Sequence, residues 1–225
     1  MRMVPFTFPD KGTRGVLVYS GGMDSTTLLH ESKDTIALCV SFNYGSKHNQ
    51  RELVYAQENC RSLGIRHQTV DLPFVNELFR SNLLMSGGAI PEGDYSKENM
   101  KSTIVPFRNG IMLSIAAGLA ESNGLSFIMM ANHKSDHEGY PDCRPTFVEA
   151  MHQAIFEGSG RLVSLLAPYT SFDKREIAVR ARSLGVDLSR SWSCYKGGEL
   201  HCGTCGTCLE RKRALDGFDT TSYRS

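Results

Sequence analysis

No run in the 225 residues approaches the roughly 20 consecutive apolar side chains that span a bilayer, which excludes a membrane-crossing helix. Residues Met1 to Asp10 hold one Arg and no apolar core of leader length, so a cytoplasmic location is the expectation. Excess charge is missing as well. The 25 Lys and Arg against 24 Asp and Glu leave a formal net charge of +1, so no basic surface for direct nucleic-acid binding is expected. There is no internal repeat and no low-complexity tract, which sets aside repeat architectures. The Gly-Lys-Ser/Thr ending of a Walker A loop is absent too. What remains is an ordinary soluble composition, long enough for one α/β domain with a small appendage.

Short apolar runs alternate with helical stretches. Gly15 to Tyr19, Thr35 to Phe42, Arg66 to Leu72, Leu125 to Ala131 and Leu162 to Ala167 read as strands. Asp24 to Ser32, Lys47 to Leu63, Phe107 to Asn123, Pro145 to Phe156 and Asp173 to Leu184 read as helices, several stopped by Gly. This order predicts a parallel sheet with helices on its faces. Arg80 to Ser102 changes character and reads as a long loop near the site. A short helix from Leu209 to about Leu215 precedes a polar tail, Gly217 to Ser225, expected to fray. We divide the chain into a nucleotide-binding domain over 13–185 and a four-Cys segment over 186–225.

Ser20-Gly21-Gly22-Met23-Asp24-Ser25-Thr26 joins the first predicted strand to the first predicted helix. Backbone N–H groups at a helix start, approached closely because of Gly, form an anion cradle. Ser20, Ser25 and Thr26 add hydroxyls. Asp24 beside a phosphate is unfavourable unless a cation lies between, and Mg²⁺ is the natural one. The plain alternative is a tight turn with an Asp helix cap.

Four of the seven Cys fall within fifteen residues: Cys194, Cys202, Cys205 and Cys208. Without a secretion leader, that clustering points to a metal before a disulfide framework. Four thiolates suit a closed, structural zinc site, with an iron–sulfur cluster as the alternative. Other candidates stand at the carboxyl ends of predicted strands, where parallel sheets bind ligands. Tyr44 and His48 follow the second strand; His133, Asp136 and His137 follow the fourth. Arg108 and Asn109 open a helix, where Arg can pair with phosphate or carboxylate and Asn can read a base edge. Tyr140, Asp142 and Arg144 lie in a Gly-Tyr-Pro-Asp-Cys-Arg run, offering a stacking face and an acceptor for a guanine-like edge. Lys174 begins a helix and can stabilise phosphate. For each of these, a solvated or turn-forming side chain is the alternative.

The string Ser-Gly-Gly-x-Asp-Ser after a first buried strand resembles the loop of the PP-loop ATP pyrophosphatases. That likeness implies an α/β fold of the adenine nucleotide α-hydrolase type, a Rossmann-like parallel sheet with helices on both faces. It also implies AMP transfer to a substrate oxygen with release of pyrophosphate. Taken together, five motifs resemble the 7-cyano-7-deazaguanine synthase family of queuosine biosynthesis. They are Tyr19 to Thr26, Phe42-x-Tyr44-Gly45, Val105-Pro106-x-Arg108-Asn109, Gly139 to Arg144, and Trp192-Ser193-Cys194-Tyr195 with the three later Cys. Spread over about residues 15 to 215, they follow the family's order.

The resemblance implies an ATP-dependent C–N ligase. Its substrates would be ATP, 7-carboxy-7-deazaguanine and ammonium, with adenylated acid and amide as intermediates. Tyr19, Ser20, Gly21, Gly22, Met23, Asp24, Ser25, Thr26 and Phe42 would bind ATP. Ser20, Asp24, Ser25, Arg108 and Lys174 would act in catalysis. Tyr44, His48, Arg108, Asn109, His133, Asp136, His137, Tyr140, Asp142 and Arg144 would hold the deazaguanine. One structural Zn²⁺ on the four Cys, Mg²⁺ with ATP and a homodimer are implied likewise. Two departures stand out. Many members have Gly at the place of Phe107, and Lys134-Ser135-Asp136-His137-Glu138 replaces a Thr-Asp-Phe-Ser run. The second brings in relatives that stop at the amide or pass the activated base to another amine. A tRNA-modifying PP-loop ATPase and a non-catalytic nucleotide-binding module are the other competing classes.

Overall fold

Adjacent residues of the strands bury into opposite layers, because successive strand side chains point to opposite faces. The computed structural model describes residues 5–94 and 96–224. Its five strands are β1 (Gly15–Val18), β2 (Ile36–Asn43), β3 (Arg66–Asp71), β4 (Phe127–Met129) and β5 (Ser164–Leu166). Val16, Leu38, Val40, Ile128 and Leu165 pack on one face. Leu17, Cys39, Met129 and Leu166 pack on the other. A sheet that is apolar on both faces needs helices on both, which is the setting of parallel strands.

The helices are α1 (Met23–Ser32), α2 (Asn49–Leu63), α3 (Pro73–Leu78), α4 (Lys97–Ser102), α5 (Arg108–Ser122), α6 (Pro145–Gly158), α7 (Lys174–Ser183) and α8 (Gly206–Ala214). Leu113 and Ala116 of α5, with Val148 and Ile155 of α6, cover the first face. Leu28 and Leu29 of α1, Ala56 and Cys60 of α2, and Ile177 of α7 cover the second. Strand order is β3-β2-β1-β4-β5, and every pairing is parallel. The chain winds outward from β1 in one direction to β3 and in the other to β5. A crevice therefore opens where the carboxyl ends of β1 and β4 diverge, the usual ligand position in such sheets.

The expected strands and the longer helices are all present. α3 and α4 are additions, each only six residues and too short to show a helical period. The 80–102 stretch holds more structure than a loop. Leu83 and Leu84 are buried in the main core. The Lys47 ammonium donates to the carbonyls of Asn82 at 2.9 Å and Gly87 at 3.3 Å, and to that of Leu84. Nor is the polar tail loose: Arg224 N donates to His201 O at 2.8 Å, and the Tyr223 hydroxyl donates to Asp219 Oδ2 at 2.7 Å. No helix among the described residues is long and apolar enough to cross a membrane. Trp192, Cys194, Cys205 and Cys208 share one buried cluster with the sheet and α5.

Phe107 sits immediately before α5 at φ 51°, in the left-handed region that disfavours a side chain. Its ring, 60 % exposed, meets Phe147 edge-on at 5.9 Å. A Cβ on Gly110 would come within 2.3 Å of that ring, so Gly110 makes the room it needs. The strain makes an expected outcome. Phe107→Gly should be more stable than Phe107→Ala by about 1 kcal/mol, or roughly 2–4 °C in thermal midpoint. Equal midpoints in thermal denaturation would show that the backbone here carries no strain.

Candidate active site

The turn after β1 is built to leave backbone amides bare. Gly21 adopts φ 83°, and a Cβ there would stand 2.4 Å from Glu52 O and 3.0 Å from Ala56 N, inside the backbone of α2. Gly22 is the N-cap of α1 and offers no side-chain cap, so the first N–H groups of α1 face the crevice with the positive end of the helix dipole. Ser20 Oγ accepts from Gly22 N at 3.1 Å and lies 3.0 Å from Ser25 Oγ. From behind, Trp192 N donates to Gly21 O at 3.0 Å. The Tyr19 hydroxyl bonds Thr26 Oγ1 at 3.1 Å and accepts from Asn59 Nδ2 at 3.0 Å.

A cavity opens over this turn. Of the residues assigned to ATP, Tyr19, Ser20, Gly22, Met23, Asp24, Ser25 and Phe42 line it. Gly21 and Thr26 stand behind the wall, the first against α2 and the second bonded to Tyr19.

Charge concentrates at one end. Lys174, the first residue of α7, places Nζ 2.5 Å from Asp24 Oδ2, 3.3 Å from His133 Nε2 and 3.7 Å from Glu210 Oε2. His133 Nε2 lies 3.4 Å from Asp136 Oδ2. Burial by itself would raise the Asp24 carboxyl, but Lys174 and His133 hold it below the usual carboxylate value. Burial opposes the Lys174 charge, and Asp24, Glu210 and Asp136 outweigh it, so the ammonium stays protonated. Asp24 Oδ1 is buried with no hydrogen-bond partner.

The opposite wall carries Tyr44, His48, Glu52, Arg108, Asn109 and Tyr195. Arg108 Nη1 donates to the Tyr44 hydroxyl at 3.2 Å, and its guanidinium lies 5.7 Å from the centre of that ring. Among the described residues Arg108 makes no ion pair. It is therefore a cation with capacity for an anionic ligand. Burial, helped by Arg108, drives the His48 imidazole down to about 3, so it is neutral.

His137, Tyr140, Asp142 and Arg144 frame this wall without lining the cavity. Asp142 Oδ2 accepts from Asn109 N at 2.9 Å and caps α5. The Tyr140 hydroxyl lies 3.2 Å from Thr103 Oγ1 and 3.4 Å from the Tyr195 hydroxyl. Arg144 Nε donates to His137 O at 2.8 Å. Sequence reasoning missed Glu52, Asn132, Tyr195, Thr207 and Glu210 as wall residues. Only Tyr195 stood inside a quoted motif; Glu52 and Glu210 read as ordinary solvated helix positions.

The Cys segment closes the cavity's rim. The Sγ atoms of Cys194, Cys202, Cys205 and Cys208 all lie within 4.8 Å of one another, and no disulfide joins them. Cys202 Sγ and Cys208 Sγ are 3.8 Å apart. A tetrahedral ion with ~2.3 Å metal–sulfur bonds sets its ligands about 3.8 Å apart, so the four thiols fit one ion. α8 starts between Cys205 and Cys208 and delivers Thr207 and Glu210 to the cavity. Arg211 is fully buried behind it, donating to Ser191 Oγ and Ser193 Oγ at 3.0 Å, Thr221 Oγ1 at 2.8 Å and Leu188 O at 2.6 Å. The 80–102 stretch docks on the same segment, with Gly93 N donating to Thr204 O at 2.9 Å.

Strand order, bare glycine turn and the Asp24–Lys174 pair define a PP-loop type of nucleotide-binding α/β enzyme. The family model for "Queuosine biosynthesis protein QueC" matches residues 14–219. The chain belongs to this QueC family of queuosine biosynthesis enzymes. It is 56 % identical over 200 residues to a 7-cyano-7-deazaguanine synthase of Porphyromonas gingivalis, covering 89 % of this chain and 91 % of that one. It is 49 % identical over 213 residues to the synthase of Desulfotalea psychrophila, covering 92 % and 97 %. Among solved structures, an NMN synthetase from Francisella tularensis is similar at TM-score 0.49 and 12 % identity, over 93 % of this chain and 80 % of that one.

The sulfur cluster yields a second expectation. Trp192, the only tryptophan, packs 4.2 Å from the His201 ring and donates from its backbone to the glycine turn. Stripping the metal with a chelator should shift Trp192 emission to the red and remove several kcal/mol of stability. Fluorescence and thermal midpoint, followed as metal content falls in elemental analysis, check this; a chelated chain with unchanged emission would mean the rim stands without the ion.

Proposed function

We propose that this chain converts 7-carboxy-7-deazaguanine and ammonium to 7-cyano-7-deazaguanine in two ATP-consuming rounds. The observation that carries the reading is one cavity with two unlike ends. Bare amides and Lys174 stand at one end for phosphates, and Arg108, without an ion pair among the described residues, stands at the other for a carboxylate. A carboxylate is a poor electrophile, so the nitrogen can enter only after one carboxylate oxygen becomes a leaving group.

ATP binds with its β- and γ-phosphates on the turn from Ser20 to Ser25, where the α1 dipole and hydroxyls of Ser20 and Ser25 favour negative charge. Arg108 and Asn109 hold the deazaguanine acid so that its carboxylate oxygen faces the α-phosphorus. That oxygen attacks, the bridging P–O bond breaks and pyrophosphate leaves. Lys174 faces the charge that grows on it, a fixed cation in a site shielded from water. Ammonia then attacks the acyl carbon and AMP departs, leaving the amide. In the second round the amide oxygen takes AMP from another ATP. Loss of two N–H protons and of AMP leaves the nitrile.

Asp24, whose Oδ1 has no partner among the described residues, would hold Mg²⁺, which would supply charge neutralisation to the bound ATP. The four Cys would hold Zn²⁺, closed by four thiolates and so structural. Tyr44 and His48 shape the base pocket, and Asp136 and His133 keep Lys174 in place. Tyr140, Asp142, Arg144 and His137 act through these residues rather than on the ligand. A homodimer working in the cytoplasm is part of this reading.

Mixing the chain with ATP, Mg²⁺, the acid and ammonium should release two pyrophosphates and two AMP per nitrile, read by phosphate assay and mass spectrometry. Asp24→Ala and Lys174→Ala should each slow AMP formation by about 100-fold or more. An amide as final product, or no pyrophosphate from the unaltered chain, would overturn the proposal.

A further inference from the structure

Four carboxylates line the cavity: Asp24, Glu52, Asp136 and Glu210. Three of them are paired with Lys174 or His133. Glu52 stands apart. It lies in the first turn of α2, whose backbone at this residue abuts Gly21 of the phosphate turn. Its carboxyl lines the cavity on the wall opposite Lys174, beside His48. Its ion-pair partner among the described residues is His48 Nε2 at 3.5 Å, and that imidazole is held neutral by burial. Arg108 from α5 is the cation it feels, and Arg108 is bonded to Tyr44. Tyr44 from the end of β2 and Tyr195 from the Cys segment complete the titratable groups on this wall. Burial, offset in part by Arg108, pushes the Glu52 carboxyl up to about 8.

A carboxyl in that setting, lining the cavity and without a charged partner bonded to it, takes up and gives back a proton near neutral pH. The reaction proposed above has a use for one. Nitrogen is abundant only as ammonium, which has no lone pair, and it must lose a proton before it can attack. We infer that Glu52 is the proton acceptor for the incoming nitrogen, turning ammonium into ammonia beside the acyl adenylate. An N–H bond of ammonium breaks, its electron pair stays on nitrogen, and the proton goes to a Glu52 oxygen. The ammonia attacks the acyl carbon, and the C–O bond breaks with its electron pair leaving on AMP. Glu52 returns the proton to water when the cavity opens to solvent. His48, neutral and 3.5 Å from both Glu52 Oε2 and the Tyr44 hydroxyl, positions the carboxyl rather than sharing its charge.

The inference rests on the acyl-adenylate reading, and the test separates the two. Pyrophosphate release is measured in a single turnover with ATP and acid but no ammonium, for the unaltered chain, Glu52→Gln and Glu52→Asp. Amide formation is then measured with ammonium, and hydroxamate formation with hydroxylamine, an amine already unprotonated at neutral pH. Glu52→Gln should keep adenylation and hydroxamate formation within about 3-fold and lose about 100-fold or more with ammonium. The loss should shrink as pH rises from about 7 to about 9 and free ammonia accumulates. Glu52→Asp, which keeps the carboxylate, should recover part of the ammonium rate. Equal losses with ammonium and hydroxylamine, or a loss already at adenylation, would assign Glu52 to binding and overturn the inference. No pyrophosphate from the unaltered chain would instead sink the acyl-adenylate reading itself.

Discussion

The backbone amides after β1 must stay uncapped to meet an anion, and much of the molecule is arranged around that requirement. A helix start without a side-chain cap is a weak point, since its first N–H groups have no protein partner. The turn is therefore held from behind at several places. α2 presses on Gly21, Trp192 donates to its carbonyl, and Tyr19 ties Thr26 to Asn59. Two of these supports come from α2 and one from the Cys segment, so the turn is fully braced only in the completed fold.

The same logic explains how unlike charges coexist in one crevice. Lys174 gathers Asp24 and Glu210, with His133 and Asp136 beside them, into a mutually paired group. Arg108 and Glu52, by contrast, face the cavity without close ionic partners of lasting charge. Paired groups set a fixed field, and unpaired ones respond to a ligand or a proton. The division places fixed charge where phosphates bind and adaptable groups where nitrogen and base arrive.

The sheet, the longer helices and the phosphate turn were legible because their signals are local: apolar runs, glycine stops, and a short string in a strand-to-helix context. The four Cys were equally plain from spacing. What escaped was long-range. Lys47 was read as the start of a helix, yet it clamps three carbonyls some forty residues away. Asp142 looked like a base reader and caps α5 instead of lining the cavity. Glu52 and Glu210 carry no motif; only the packing of α2 and α8 turns them inward. The left-handed Phe107 also breaks a local rule, at the point where the chain enters α5 to present Arg108.

α8 has a consequence for the order of events during synthesis. Every strand of the sheet is in place once Leu166 has been made, and a chain emerging from its amino end folds in that order. The rim that supplies Trp192, Tyr195 and Glu210 follows later, and its four sulfurs come together only then. The nascent chain thus carries its phosphate turn early, braced by α2 but without the Trp192 support. If the four sulfurs must close on an ion before the rim takes shape, the supply of that ion sets how much of the translated protein becomes competent.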